Sequence, residues 1–148
     1  MELSDEIRIP APRDRVYAAL NDPDVLKECI PGCESLTKLS DTDLEAKVTL
    51  KVGPVKASFG GKVKLDKAGA PGRFSLSGEG SGGVAGFAKG GADVELVEDG
   101  DGTILRYAAK ADIGGKIAML GSRLIDSTAR RLANSFFETF AEVAVRQG

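Results

Sequence analysis

Leu44-Glu45-Ala46-Lys47-Val48-Thr49-Leu50-Lys51-Val52, then Gly53-Pro54, then Val55-Lys56-Ala57-Ser58-Phe59-Gly60-Gly61-Lys62-Val63-Lys64-Leu65, reads as two alternating strands folded back at a Gly-Pro turn. One face carries Leu44, Ala46, Val48, Leu50 and Val52, then Val55, Ala57, Phe59, Gly61, Val63 and Leu65. The other carries Glu45, Lys47, Thr49 and Lys51, then Lys56, Ser58, Lys62 and Lys64. Successive side chains of a strand point to opposite faces, so this hairpin has one apolar face to bury and one charged face to leave in water. An antiparallel sheet covered on one side only is the architecture that meets both demands.

The same period of two continues toward the C-terminus. Phe74 and Leu76 mark a further strand. Ala92, Val94 and Leu96 stand in phase within residues 88–97, and Leu105, Tyr107, Ala109 and Ala111 within 103–113, with Asp99-Gly100-Asp101-Gly102 as a turn between them. Toward the N-terminus, Leu3, Ile7 and Ile9 alternate with Glu6 and Arg8, and Pro10 and Pro12 end that strand. Val16, Tyr17 and Leu20 then share one face of a short helix opened by Pro12, where a missing N–H costs little. Asn21-Asp22-Pro23 restarts the chain as a second short helix with Val25 and Leu26, ended by Pro31-Gly32. After Gly114-Gly115 the period becomes helical, through Ile117, Leu120, Leu124, Thr128, Leu132, Phe136, Phe140 and Val143. One amphipathic helix is predicted from there to the end, ~40 Å or more long at about 1.5 Å per residue. The expected fold is α+β, a single domain over residues 1–148: a curved seven-stranded antiparallel sheet gripping a long C-terminal helix, with two short helices after the first strand.

Composition narrows the function. A chain of 148 residues, 42% hydrophobic, can bury roughly 68–70% of its unfolded surface, so a real core is available. A net charge of −2 without a dense Lys/Arg cluster speaks against nucleic acid, whose phosphates demand concentrated positive charge. Met1-Glu2-Leu3-Ser4-Asp5-Glu6 is acidic where an export signal is basic, and no apolar run approaches the ~18–20 residues of a membrane span. A cytoplasmic location is expected. Cys29 and Cys33 have no His to complete a common zinc set and read as reduced thiols, with no metal or cofactor expected. Without His, and without a Ser or Cys beside an evident base, catalysis is not expected either. Asp93 and Glu95 fall on the outward phase of their strand and read as solvated charge.

Local matches to one family accumulate in order: Ile9-Pro10-Ala11-Pro12, Leu20-Asn21-Asp22-Pro23, Cys29-Ile30-Pro31-Gly32-Cys33-Glu34, and Val52-Gly53-Pro54-Val55 leading to Phe59-Gly60-Gly61. They continue with Gly78-Glu79-Gly80-Ser81-Gly82, Gly102-Thr103 with Leu105 and Tyr107, Gly114-Gly115-Lys116-Ile117-Ala118-Met119-Leu120-Gly121, and Phe136-Phe137-Glu138-Thr139-Phe140. Through these, nearly the whole chain resembles the CoxG family of carbon monoxide dehydrogenase subunits, within the START-like, or SRPBCC, superfamily. Tyr17 stands where that family often has Trp, and the chain stops at Gly148 where longer members continue, so any membrane contact is expected to be peripheral. The resemblance implies the helix-grip fold and an accessory role beside a molybdenum hydroxylase of the carbon monoxide dehydrogenase type, in its membrane association or maturation.

The inner strand positions Ala57, Gly61, Gly78, Ala88, Gly90, Ala92, Ala109 and Ala111 are small, which leaves either a cavity facing the helix or a helix packed closer. Taken as a cavity, its candidate ligand-binding residues are Phe59, Phe74, Phe87, Tyr107, Ile117, Leu120, Leu124 and Phe136, with the Tyr107 hydroxyl offered to a polar ligand group. Core packing is the competing reading of each, Phe74 and Phe136 above all. The glycine-rich segment 80–87 is able to close over an opening, and residues 114–121 expose Ile117 or Met119 to lipid or a partner. The expected function is a non-catalytic accessory protein that binds a hydrophobic small molecule, a quinone or another lipid, and presents it to, or recruits, the partner oxidoreductase at the inner face of the membrane. An assembly or membrane-recruitment factor without ligand is the alternative, and a small-molecule cyclase or hydrolase of the same fold is the third reading.

Overall fold

The structure is a computed structural model and describes residues 1–146. β1 (Glu2–Ile9) is followed by α1 (Arg13–Leu20) and α2 (Pro23–Cys29). A meander then runs through β2 (Cys33–Lys38), β3 (Asp43–Val52), β4 (Val55–Asp66), β5 (Arg73–Ser81), β6 (Phe87–Asp99) and β7 (Gly102–Gly114), and α3 (Ser122–Arg146) follows. All neighbouring strands are antiparallel, in the order β1-β7-β6-β5-β4-β3-β2. The β3–β4 hairpin has the register its alternation demands, Leu44 opposite Val63 and Val52 opposite Val55 across the two-residue turn.

Local chemistry sets the breaks between elements. Asp22 caps α2 by accepting a hydrogen bond from the Asp24 N–H at 2.9 Å, and Pro23 occupies the first turn, where its missing donor is no loss. The buried Thr103 hydroxyl donates to the Ala11 carbonyl at 2.8 Å, tying the start of β7 to the chain between β1 and α1.

The long helix differs from expectation. Lys116–Leu120 forms a 3-10 turn, and Gly121 follows at φ +93°, a conformation that strains any residue with a Cβ. The α-helix therefore starts at Ser122, and its 25 residues run about 37 Å rather than 40 Å or more. Ile117 and Leu120 belong to this entry turn and not to the helix stripe.

Side-chain size on the sheet's inner face is graded along the strands. At one end Phe74, Val94 and Tyr107 stand in register across β5, β6 and β7, and the next row but one joins Leu96, Leu105 and Ile7. The aromatic C-terminal half of α3 closes over these rows with the buried Phe140, Val143 and Ala144, and α1 and α2 add Val16, Ala19 and Val25. At the other end one row reads Ala46, Gly61, Gly80, Ala88 and Ile113 across β3 to β7. Close to that row a Cβ added at Gly90 would collide with the Lys110 carbonyl, so the tightly drawn sheet admits only glycine there.

Candidate functional site

The row of small residues is the floor of a cavity of about 510 Å³ between sheet and helix. Its roof is the N-terminal half of α3, through Ile125, Thr128, Ala129 and Leu132, and Val48, Leu50, Val52 and Phe59 form the wall toward the β3–β4 turn. Ile30 and Pro31, which end α2, and Ile117 of the entry turn complete it. Its volume lies inside the roughly 300–1,000 Å³ range of small-molecule sites. The lining contains no charged side chain, and Thr128 supplies the polar one. The Met1 amine, also near the cavity, donates to the Ala111 carbonyl at 2.9 Å.

Of the eight residues expected around a ligand, Phe59 and Ile117 line this space, and the other six lie elsewhere. Phe74 is core, meeting the Tyr17 ring edge-on at 5.6 Å. Phe136 stacks on Phe140 at 5.8 Å, and Tyr107 stacks on Phe137 at 5.2 Å, both at the filled end. Burial, followed by the charge of Asp5, pushes the Tyr107 phenol up from its ordinary value, and its hydroxyl does not reach the cavity lining. Leu124 packs under the β3–β4 turn, where a Cβ added at Gly53 would come within 2.7 Å of its Cδ2. Leu120 is half-buried in the entry turn. Phe87 is 52% exposed, its ring lying against Gly114 on the outer face, because inward Ala88 forces its neighbour outward.

The small inward positions Gly61, Ala88 and Ala111, expected to leave a cavity, do line it, whereas Ala46, Gly80 and Thr128 were not singled out for it. Ala46 and Gly80 carry no conspicuous signal beyond small size at an inward position. Thr128 did carry one, as a hydroxyl in an otherwise apolar helix stripe.

Two exposed apolar tips flank the cavity. The 3-10 turn Gly83–Ala85, between β5 and β6, packs against Lys116–Leu120, leaving Val84 94% and Met119 85% exposed. These turns are joined to the cavity wall, since Ile117 lies beside Gly86 and the Phe59 ring lies beside Gly82. The outer face of the sheet is ionic. Arg106 bridges Glu6 at 2.7 Å and Glu95 at 3.3 Å, and Arg73 reaches Glu95 at 2.6 Å. Hydrogen bonding to Arg73 leads the effects that hold the Glu95 carboxyl below its ordinary range, and Asp93 accepts from Ser75 at 2.7 Å. Both carboxylates thus have structural partners on the outer surface.

A curved antiparallel sheet wrapped on one long helix, with an apolar space held between them, defines a START-like helix-grip domain. The chain belongs to the CoxG family of carbon monoxide dehydrogenase subunits, which it matches over residues 6–145. Its fold is similar to that of a conserved protein from Geobacillus kaustophilus, with a TM-score of 0.91 and 25% identity over 99% of this chain and 96% of that one. An aromatase/cyclase, Zhui, from a Streptomyces species is similar at a TM-score of 0.70 and 12% identity, over 99% and 94% of the two chains. A STAR-related lipid transfer protein from Xanthomonas axonopodis is similar at 0.66 and 22%, over 97% and 85%. A search of curated proteins found no match. Among the described residues, no helix is long and apolar enough to cross a membrane.

Proposed function

We propose that this CoxG-family domain is a non-catalytic carrier that takes an apolar small molecule, a quinone or another lipid, into the cavity under α3 and presents it to a molybdenum hydroxylase of the carbon monoxide dehydrogenase type. The observation that carries the reading is the 510 Å³ cavity with one polar side chain in its lining. Water against such a lining finds few hydrogen-bond partners, so an apolar ligand that displaces it is favoured. A ligand that fills the space also gains the contacts of its walls. The lining side chains offer no acid or base, and the Met1 amine beside them is held by the Ala111 carbonyl, which favours a carrier over a cyclase.

The exposed Val84 and Met119, beside the cavity, supply an apolar contact for a partner or for the inner face of the membrane in a cytoplasmic setting. The same tips favour the second reading, recruitment of the enzyme without cargo. Native mass spectrometry and organic extraction of protein purified gently from its host separate the two. The carrier predicts a stoichiometric apolar adduct that extraction removes. An unliganded mass, together with no thermal stabilisation by apolar probes, would overturn it in favour of recruitment.

A further inference from the structure

We infer that Thr128 is the specificity-determining residue of the cavity, and that the ligand is an uncharged, largely hydrocarbon molecule with an oxygen, carbonyl or hydroxyl, that meets the Thr128 hydroxyl. The inference rests on the carrier reading. Thr128 is 6% exposed and lines the cavity from the middle of α3's apolar stripe. A helical Thr ordinarily returns its hydroxyl to a carbonyl three or four residues back. Here the Leu124 carbonyl, four residues back, already accepts from Ser127 Oγ at 3.0 Å. Among the described residues no group pairs with Thr128 Oγ1, the atom is not sealed off and the residue lines the cavity, so its hydroxyl is open to a ligand there.

An unpaired hydroxyl among apolar side chains is unfavourable until something bonds to it. It both donates and accepts, so a ligand carbonyl or hydroxyl satisfies it equally. The lining side chains hold no charge to offset the desolvation of a carboxylate or ammonium, and the Met1 ammonium beside them already has the Ala111 carbonyl as partner, so a neutral ligand is favoured. A charged head group is therefore favoured outside, while the hydrocarbon and its neutral oxygen are held within.

The test uses two probes of the same skeleton, butyrophenone and n-butylbenzene, which differ by a carbonyl in place of a methylene. Affinities are measured by calorimetry on the full chain and on Thr128→Val and Thr128→Ser. Thr128→Val keeps the shape and breaks no bond within the protein, so folding is preserved. The expected result is a loss of about fivefold in butyrophenone affinity in Thr128→Val, no change for n-butylbenzene, and retention of the wild-type pattern in Thr128→Ser. Equal effects of Thr128→Val on both probes would overturn the anchor while leaving an apolar carrier standing. Failure of both probes to bind the folded wild type would overturn the carrier reading itself, and the anchor with it.

Discussion

Where α3 crosses Phe74, Val94 and Leu105 it presents Phe136, Phe140 and Val143, which pack with them into one buried cluster. Two to three turns earlier the same helix presents Ile125, Thr128 and Ala129 to Gly61, Gly80 and Ala88, and about 510 Å³ stays open. One sheet and one helix thus make a filled end and a hollow end. The difference lies in side-chain volume, since the backbone elements and their antiparallel register run through both. The filled end supplies the core packing that the hollow end lacks.

Truncation is the strongest way to break this comparison. Phe140→Ala removes a fully buried ring from the filled end and is expected to lower stability by about 3–5 kcal/mol in urea unfolding. Leu132→Ala, whose side chain borders space already open, is expected to cost about 2 kcal/mol or less, at the low end for buried Leu. Equal losses would mean that the roof of the cavity is as tightly packed as the core.

Enlargement reverses the order. Ala144→Leu adds three carbons where Ala144 is 0% exposed and is expected to cost about 1–3 kcal/mol through overpacking. Ala88→Leu adds the same carbons to the cavity floor, where each buried methylene contributes ~0.8 kcal/mol, so stability is expected to hold or rise by up to about 2 kcal/mol. Its binding of n-butylbenzene should fall at the same time. A destabilised Ala88→Leu would show that the floor has no room to spare.

The sequence made the frame legible because period two and period 3.6 are properties of the backbone, repeated over many residues. The β3–β4 hairpin, the strand before two short helices and the terminal helix all follow from such patterns. The site was less legible because a cavity is defined by what faces it across the sheet, and register between distant strands is not written in local spacing. Aromatic residues drew attention as lining, yet large rings fill space: Phe74, Tyr107 and Phe136 belong to the filled end for that reason. Phe87 was excluded by its own neighbour, since Ala88 and Phe87 cannot both point inward. Gly121 was visible as a residue, but its positive φ, and hence the break between Ile117 and Leu124, is not written in the local spacing.

A further effect, spread over about two pH units, lies at the border between the two ends. Cys29 is buried with the filled end, while Ile30 and Pro31, its immediate successors, line the cavity. Burial first, and then the neighbouring Glu28 carboxylate, push the Cys29 thiol up to about 11 against the opposing effect of Arg146. The folded state therefore keeps the thiol protonated at a pH where the unfolded chain, titrating near the ordinary thiol value of about 9, has lost the proton. Its stabilising contribution is complete below pH about 9 and is lost as pH rises toward about 11, at no more than about 1.4 kcal/mol per unit. Cys29→Ala removes this dependence, so wild type should lose stability faster than the variant between those limits, whatever lysines and tyrosines contribute to both. Ala88→Leu, altered only at the hollow end, should follow the wild-type slope. Parallel wild-type and Cys29→Ala curves would place Cys29 in contact with water and move the border of the filled end back into α2.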